Sequence, residues 1–195
     1  MKNCSIIVSV YNEEASLENF FEACSSVLSR CRAGSKEDSA CEKIVEKYHT
    51  EILFVDDGST DRSPLILDRL ALEYPELVKV IHFSRNFGHE AAMTAGLDYA
   101  SGDFLIFMDA DLQHSPELIP EMLARYEAGF HVVSMVRTKN SSAGILKNLS
   151  SAAFYWVLNH LSLLHFEANA SDFFGISKDV QAVLKQYYRE KVRYL

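Results

Sequence analysis

Long apolar runs are missing from this chain. Its 195 residues contain no stretch of 18 or more consecutive apolar residues, which excludes a membrane-spanning helix by the usual length criterion. A signal-peptide pattern is missing too. Met1-Lys2-Asn3-Cys4 runs directly into a strand-like segment, so a cytoplasmic location is expected. Cysteine is scarce: Cys4, Cys24, Cys31 and Cys41 include no CxxC pair, which argues against a zinc site, and disulfides are unexpected in a reducing compartment. Cys4 and Cys24 are expected in the core, and Cys31 and Cys41 in a loop. Positive charge is short as well. The 19 Lys and Arg against 27 Asp and Glu leave a net charge of -8, which argues against a general nucleic-acid binder. Neither GxGxxG nor GxxxxGK followed by Ser or Thr occurs, so no glycine-rich phosphate loop of those types exists.

What is present is ordinary globular material. Hydrophobic residues make up 48% and charged residues 24%, and the length suits one domain with a substantial core. Apolar strand candidates alternate with helical patterns. Strands are expected at Ser5–Val10, Ile52–Val55, Val78–Phe83, Phe104–Met108 and His131–Val136. Helices are expected over 14–30, where Leu17, Phe20, Phe21, Cys24, Val27 and Leu28 share a stripe, over 62–74 with Pro75 at the end, and over 88–100. Ser115-Pro116 reads as an N-cap with proline in the first helical position, opening a helix that ends near Gly129. This alternation predicts an α/β fold: three α/β/α layers around a mostly parallel sheet, with right-handed crossovers. Two segments break the rhythm. Arg32 to Lys47 is polar and charged and reads as an exposed excursion, helical from Cys41 to Tyr48. Ser142 to Phe166 carries Ile145, Leu149, Trp156, Val157 and Leu161 at helical spacing, a stripe suited either to core packing or to a membrane surface.

The apolar run Phe104-Leu105-Ile106-Phe107-Met108 ends in Asp109-Ala110-Asp111. These carboxylates fall at the carboxyl end of a buried strand, where open α/β sheets bind ligands. In extended backbone, residues i and i+2 share a side, and Gln113 continues that parity. Asp109, Asp111 and Gln113 are therefore expected to converge on one hard divalent cation, Mg2+ or Mn2+, able to hold a diphosphate. Capping of the next helix is the plainer use of the same acids. The other strand ends are equally polar. Tyr11-Asn12-Glu13-Glu14 follows the first strand, Asp56-Asp57-Gly58-Ser59-Thr60-Asp61 the second, Ser84-Arg85-Asn86-Phe87-Gly88 the third, and Arg137 the fifth. A carboxylate after the second strand can accept hydrogen bonds from a base N–H or from ribose hydroxyls. Asp56 and Asp57 are both candidates, whereas Ser59-Thr60-Asp61 reads as a helix N-cap. Without a glycine-rich loop, a diphosphate needs basic side chains beside the metal, and Arg137 and Lys147 are the available cations. His89 and His114 read as structural, and Glu90 and Glu117 as compensation for helix dipoles.

Taken in order, Val8-Ser9-Val10-Tyr11-Asn12-Glu13-Glu14, Val55-Asp56-Asp57-Gly58-Ser59-Thr60-Asp61, Arg85-Asn86-Phe87-Gly88 and Met108-Asp109-Ala110-Asp111-Leu112-Gln113 resemble family 2 glycosyltransferases of GT-A fold, with its Rossmann-like layers. The Asp-Ala-Asp-Leu-Gln form resembles the polyprenyl-phosphate branch, which includes dolichol-phosphate mannose synthases and bacterial undecaprenyl-phosphate glucosyltransferases. The resemblance covers Ser5 to Lys178. It implies inverting, metal-dependent transfer of a sugar from a UDP- or GDP-sugar to a polyprenyl phosphate at the inner membrane face, with self-association left open. By this likeness Asp109, Asp111 and Gln113 bind metal and diphosphate. Tyr11, Glu13 and Asp57 line the nucleotide pocket, and Asn12, Asp56, Arg85 and Lys147 complete the expected nucleotide-sugar site. Arg137 meets a donor or acceptor phosphate, and Asp172 is an acceptor-side acid. Three features depart from the pattern. Phe174 replaces the arginine expected after Asp172-Phe173, the 32–47 excursion is long, and the chain stops at Leu195 where many relatives continue into further helices or membrane spans. A single GT-A domain, truncated or minimal, is the expectation. Other readings are a family 2 transferase acting on a sugar hydroxyl in glycan synthesis, a nucleotidyltransferase, and a non-catalytic nucleotide-binding scaffold. The processive motif Gln-x-x-Arg-Trp of the first and the glycine-rich loop typical of the second are absent.

Overall fold

The computed structural model describes the backbone of residues 1–33, 42–136 and 170–189, and the side chains of 1–29, 44–135 and 172–186. Two compact units divide the chain, Met1–Val133 with Asp172–Leu195 and Ser134–Ser171, and the site residues located below all belong to the first. Strands β1 (Lys2–Val10), β2 (Tyr48–Asp56), β3 (Val78–His82), β4 (Phe104–Asp109), β5 (Val132–Val136) and β6 (Ala170–Ser177) form one sheet in the spatial order β3-β2-β1-β4-β6-β5. β1 to β4 pair in parallel, and β6 runs antiparallel to β4. Cys4–Val8 and Phe104–Met108 are buried without a break. Central parallel strands are covered on both faces, which is why these segments read as continuous apolar runs.

Among the described residues the helices beside the sheet are α1 (Leu17–Ala33), α2 (Glu42–Val45), α3 (Ser63–Glu73), α4 (His89–Tyr99), α5 (Ile119–Glu127) and α6 (Lys178–Arg189), with a 3-10 turn at Pro116–Leu118. α1 buries Leu17, Phe20, Cys24, Val27 and Leu28, and Phe20 meets Phe54 of β2 edge-on at 6.1 Å. The next residue along β2, Val55, points the other way. There it joins Ile7, Leu105 and Phe107 against Ala92 and Leu97 of α4 and Val180 and Leu184 of α6. Helices therefore cover both faces, as the expected three layers require. α4 lies close to the sheet because residue 96 is glycine: a Cβ there would stand 2.2 Å from Ile7 Cγ2. The buried Gln181 of α6 donates its side-chain N–H to Leu97 O at 2.6 Å and Ala100 O at 3.0 Å, satisfying carbonyls that the end of α4 leaves open.

Several boundaries differ from expectation. α1 runs on to Ala33, so Cys31 is helical rather than in a loop, while Cys41 lies outside the described residues. Cys4 and Cys24 are buried as expected. Among the described residues of the segment Cys41–Tyr48, the helix is Glu42–Val45. Ser115 accepts from Glu117 N as an N-cap does, but it opens the 3-10 turn that precedes α5. β6 and α6 were not anticipated. In β6, Gly175 interrupts the apolar pattern because a Cβ there would sit 2.4 Å from Phe104 Cζ. The apolar stripe 142–166 lies outside the described residues.

Candidate active site

Strand register sets the floor of the site. Ser9 of β1 stands opposite Asp109 of β4 on one side and Val55 of β2 on the other, and Val10 stands opposite Asp56. Asp56 and Asp109 thus leave the sheet at the same edge with one strand between them, roughly 10 Å apart at ordinary strand spacing. β1, β2 and β3 succeed one another in one direction, and β4 returns on the far side of β1. The order switches between β1 and β4, and the crevice outside such a switch point is where open α/β sheets bind ligands.

That crevice, of about 250 Å³, is lined by Ser9, Tyr11, Glu13, His89, Asp109 and Asp111 among others. Ser9 Oγ donates to Asp109 Oδ1 at 3.3 Å and lies 2.8 Å from His89 Nδ1. A hydroxyl has one proton, so His89 donates to Ser9 from Nδ1. His89 Nδ1 is also 3.7 Å from Asp109 Oδ1. Burial raises the proton affinity of the Asp109 carboxyl, His89 opposes it, and the charges of Asp111 and Asp172 add to the rise. Acids crowded in this way suit a hard divalent cation. Among the described residues no group of three or more His, Cys, Asp or Glu could hold a metal by itself. Asp109 and Asp111 fit one whose remaining ligands are phosphate oxygens and water, the usual manner of Mg2+.

The parity argument does not carry Gln113 to them. Extended backbone stops at Asp109, Leu112 turns left-handed at φ 58, and the parity that was to bring Gln113 to the same side is lost. Gln113 is exposed, and its backbone N–H donates to Asp111 Oδ1 at 3.0 Å.

A second pocket, about 510 Å³, adjoins at Tyr11 and includes Asp56, Thr60, His82, Arg85 and Asn86. Its walls are loops that lock one another. Asn12, left-handed at φ 55, donates its N–H to Ser59 Oγ at 2.9 Å and accepts from Thr60 N at 2.8 Å. Glu14 N donates to Asp61 Oδ2 at 3.0 Å, and Arg62 N donates to Glu14 Oε2 at 2.8 Å. Ser59 and Thr60 therefore tie two loops together instead of capping α3, while Asp61 accepts from Ser63 N at 2.9 Å as well as from Glu14. Asp57 is buried, with Oδ1 taking Phe87 N at 2.7 Å and Oδ2 taking Gly88 N at 2.9 Å. It holds the β3–α4 loop from beneath rather than standing among the residues that line either pocket. Gly58, at φ 68, lets that loop approach: a Cβ there would lie 2.2 Å from the Arg85 carbonyl carbon. The Arg85 guanidinium sits over the Phe87 ring at 4.6 Å.

A third cavity, about 350 Å³, begins at His89 on the other side of the acidic crevice and is walled by Met93, Leu97, Phe107, Phe174, Ile176 and Leu184, with Asp172 beside them. Phe174, in the place of the expected arginine, stacks on Phe107 with centroids 4.7 Å apart. Arg137 and Lys147 lie outside the described residues. Sequence reasoning passed over Ser9, His82 and His89. Only the register of β1 against β4 reveals Ser9, and His89 looked structural because it opens a helix.

In architecture this is a GT-A fold with an acidic crevice at the switch point of its sheet. The chain belongs to glycosyl transferase family 2, whose profile matches residues 5–192. It is 40% identical over 169 residues to the uncharacterized glycosyltransferase YkcC of Bacillus subtilis (strain 168), a match covering 87% of this chain and 47% of that protein. It is 35% identical over 181 residues to the prophage bactoprenol glucosyl transferase homolog of Escherichia coli (strain K12), covering 93% and 54%. A third relative is the undecaprenyl-phosphate 4-deoxy-4-formamido-L-arabinose transferase of Salmonella choleraesuis (strain SC-B67), 34% identical over 150 residues, covering 77% and 41%. The chain spans about half the length of the curated relatives it matches. In fold it is similar to mannosyltransferase PcManGT from Pyrobaculum calidifontis in complex with GDP-Man and Mn2+, with TM-score 0.57 and 17% identity over 93% of this chain and 46% of that one. Glucosyl-3-phosphoglycerate synthase from Mycobacterium tuberculosis in complex with UDP gives TM-score 0.57 and 17% identity over 92% of this chain and 58% of that one.

Proposed function

We propose that this chain transfers a sugar, with inversion, from a UDP- or GDP-sugar to a polyprenyl phosphate. The observation that carries the reading is the acidic crevice at the β1–β4 switch point, joined through Tyr11 to a pocket able to take a nucleoside. Asp109 and Asp111 would hold a divalent ion, which when bound neutralises charge on the departing nucleoside diphosphate. Ser9 and His89 orient the Asp109 carboxylate. Tyr11 and Glu13 stand where donor phosphates pass from one pocket to the other, with Asp56 and Arg85 on the nucleoside side.

The acceptor follows from chemistry as much as from likeness. A sugar hydroxyl needs a general base, whereas a phosphate monoester with a second pKa near about 6 is already largely a dianion at neutral pH. Asp172, exposed and close enough to raise the proton affinity of Asp109, then serves to orient the acceptor. The apolar cavity that begins at His89 favours an acceptor with a hydrocarbon tail over a sugar. No helix among the described residues is long and apolar enough to cross a membrane.

The test is turnover of UDP- and GDP-sugars with Mn2+ and a short-chain polyprenyl phosphate. Wild-type protein is expected to release nucleoside diphosphate and form a glycosyl phospholipid. Asp111→Ala is expected to lose both while keeping its melting temperature. Retained turnover in Asp111→Ala refutes the assigned site, and transfer to an oligosaccharide in place of the lipid refutes the acceptor.

A further inference from the structure

The larger polar pocket holds a residue that glycosyl transfer, as derived above, leaves without a task. His82 ends β3, with Nδ1 2.9 Å from Asp56 Oδ2 and Nε2 3.1 Å from Asp68 Oδ1 on α3. An ionised carboxylate only accepts, so the ring donates to both acids. Burial lowers the proton affinity of the ring, but the two acid partners outweigh it and raise the balance. The other titratable or charged groups lining this pocket are Tyr11 and Arg85. Asp56 is 2% exposed, and its second oxygen takes Ser59 N at 3.0 Å. Its carboxylate is therefore tethered at both oxygens and cannot turn. Each oxygen has capacity for a second bond, and Asp56, unlike Asp57, is among the residues that line the pocket.

We propose that His82 is a positioning residue for base recognition, holding Asp56 as a fixed acceptor for a nucleobase that carries a ring N–H, uracil or guanine. This rests on the nucleotide-sugar reading and adds base selection to it. Uracil offers N3–H and guanine N1–H to such an acceptor. Cytosine offers a bare N3 lone pair at the same place, and a carboxylate that cannot rotate repels it. Asp68 holds the outer side of the ring, so that Nδ1 keeps facing Asp56.

The experiment is calorimetric titration of the whole chain with UMP, GMP and CMP in EDTA, which removes any metal contribution. Wild-type protein is expected to bind UMP or GMP at least about tenfold more tightly than CMP, the size of one hydrogen bond to a charged group. The UMP and GMP arms tell which base is read. His82→Asn sets an amide N–H near the Nδ1 position and is expected to keep the discrimination within about twofold, because the bond to Asp56 survives. His82→Gln sets its N–H near Nε2, loses Asp56, and is expected to cut the discrimination to roughly twofold. Asp68→Asn, at an exposed position, should cut it about threefold and replaces His82→Gln should that variant not fold. Undiminished discrimination in His82→Gln overturns the proposal, as does equal loss in the Asn and Gln variants, which marks the ring as packing only. Binding of UMP or GMP with an unselective wild type defeats the role of His82 alone. No binding of any nucleotide defeats the nucleotide-sugar reading with it.

Discussion

Replacing Asp57 with Asn keeps the shape of the side chain and removes its charge and one acceptor. The site depends on what that acceptor does. The carboxylate is 3% exposed, and its two oxygens receive Phe87 N at 2.7 Å and Gly88 N at 2.9 Å. An amide retains one oxygen. Its NH2 group then points at a backbone N–H, so one buried donor goes unpaired and the surviving bond loses its charge assistance. An unpaired buried group costs about 1–3 kcal/mol, and the lost charge assistance adds about 1 kcal/mol, for a total of about 3 kcal/mol. In a domain of this size each kcal/mol moves the melting temperature by about 2–4 °C, so a fall of roughly 6–12 °C is expected. Asp111→Asn is the control, because Asp111 is only partly buried and the backbone bond it accepts from Gln113 is one that an Asn oxygen can still accept. Thermal and urea unfolding of the two variants measure the difference. A melting temperature for Asp57→Asn within about 2 °C of wild type would show that the loop does not depend on this clamp.

Gly58→Ala should be worse than its size suggests, because the new Cβ meets backbone atoms of Arg85 that cannot swing aside. A loss of about 3 kcal/mol or more, with weakened nucleotide binding, is expected. Gly129→Ala has a comparable φ of 96 but nothing within 4 Å of the added atom, so its cost is the conformational term alone, about 1 kcal/mol. Stability should also fall in acid. Burial alone would raise the Glu51 carboxyl, but bonds from Lys79, Ser5 and Ser101 outweigh it and hold it low, while bonds from Lys2 and Tyr48 hold Glu127 low. A depressed carboxylate stabilises the fold fully above its unfolded value, near 4.3, and progressively less as pH drops through the lower folded value. Urea midpoints between pH 6 and pH 3 should therefore decline, and Glu51→Gln should decline less steeply. A midpoint that does not change with pH contradicts the assignment.

The parallel core was legible because its strands are buried on both faces and so read as unbroken apolar runs. Val8, Phe54 and Phe107 announce themselves in this way, and the strand ends that follow carry the polar loops. β6 was not legible. Its glycine is imposed by the Phe104 ring, a partner far away in sequence, and its pairing with β4 is antiparallel in a sheet otherwise read as parallel. Within the site, residue types were legible and their directions were not. The parity offered for Gln113 argues only while the backbone stays extended, and Leu112 ends that. Asp57 was read as facing a ligand, yet its oxygens face two amides thirty or so residues downstream. A sequence shows that an acid is present, but the register and the turn decide whether it meets a ligand or a neighbouring loop.

This division of labour explains why one short stretch carries so many polar residues. Asn12, Glu14, Asp57, Ser59 and Asp61 spend their hydrogen bonds on one another's loops. Tyr11, Glu13, Asp109 and Asp111 remain along the crevice those loops enclose. The first set makes the second set stiff. On the proposed function, a donor entering the crevice would meet groups already ordered, so little of its binding free energy would be lost to arranging side chains. The expected consequence separates the sets by measurement: substitutions at Asp57 or Asn12 should lower the melting temperature and nucleotide affinity together, whereas substitutions at Asp111 should remove turnover at an unchanged melting temperature.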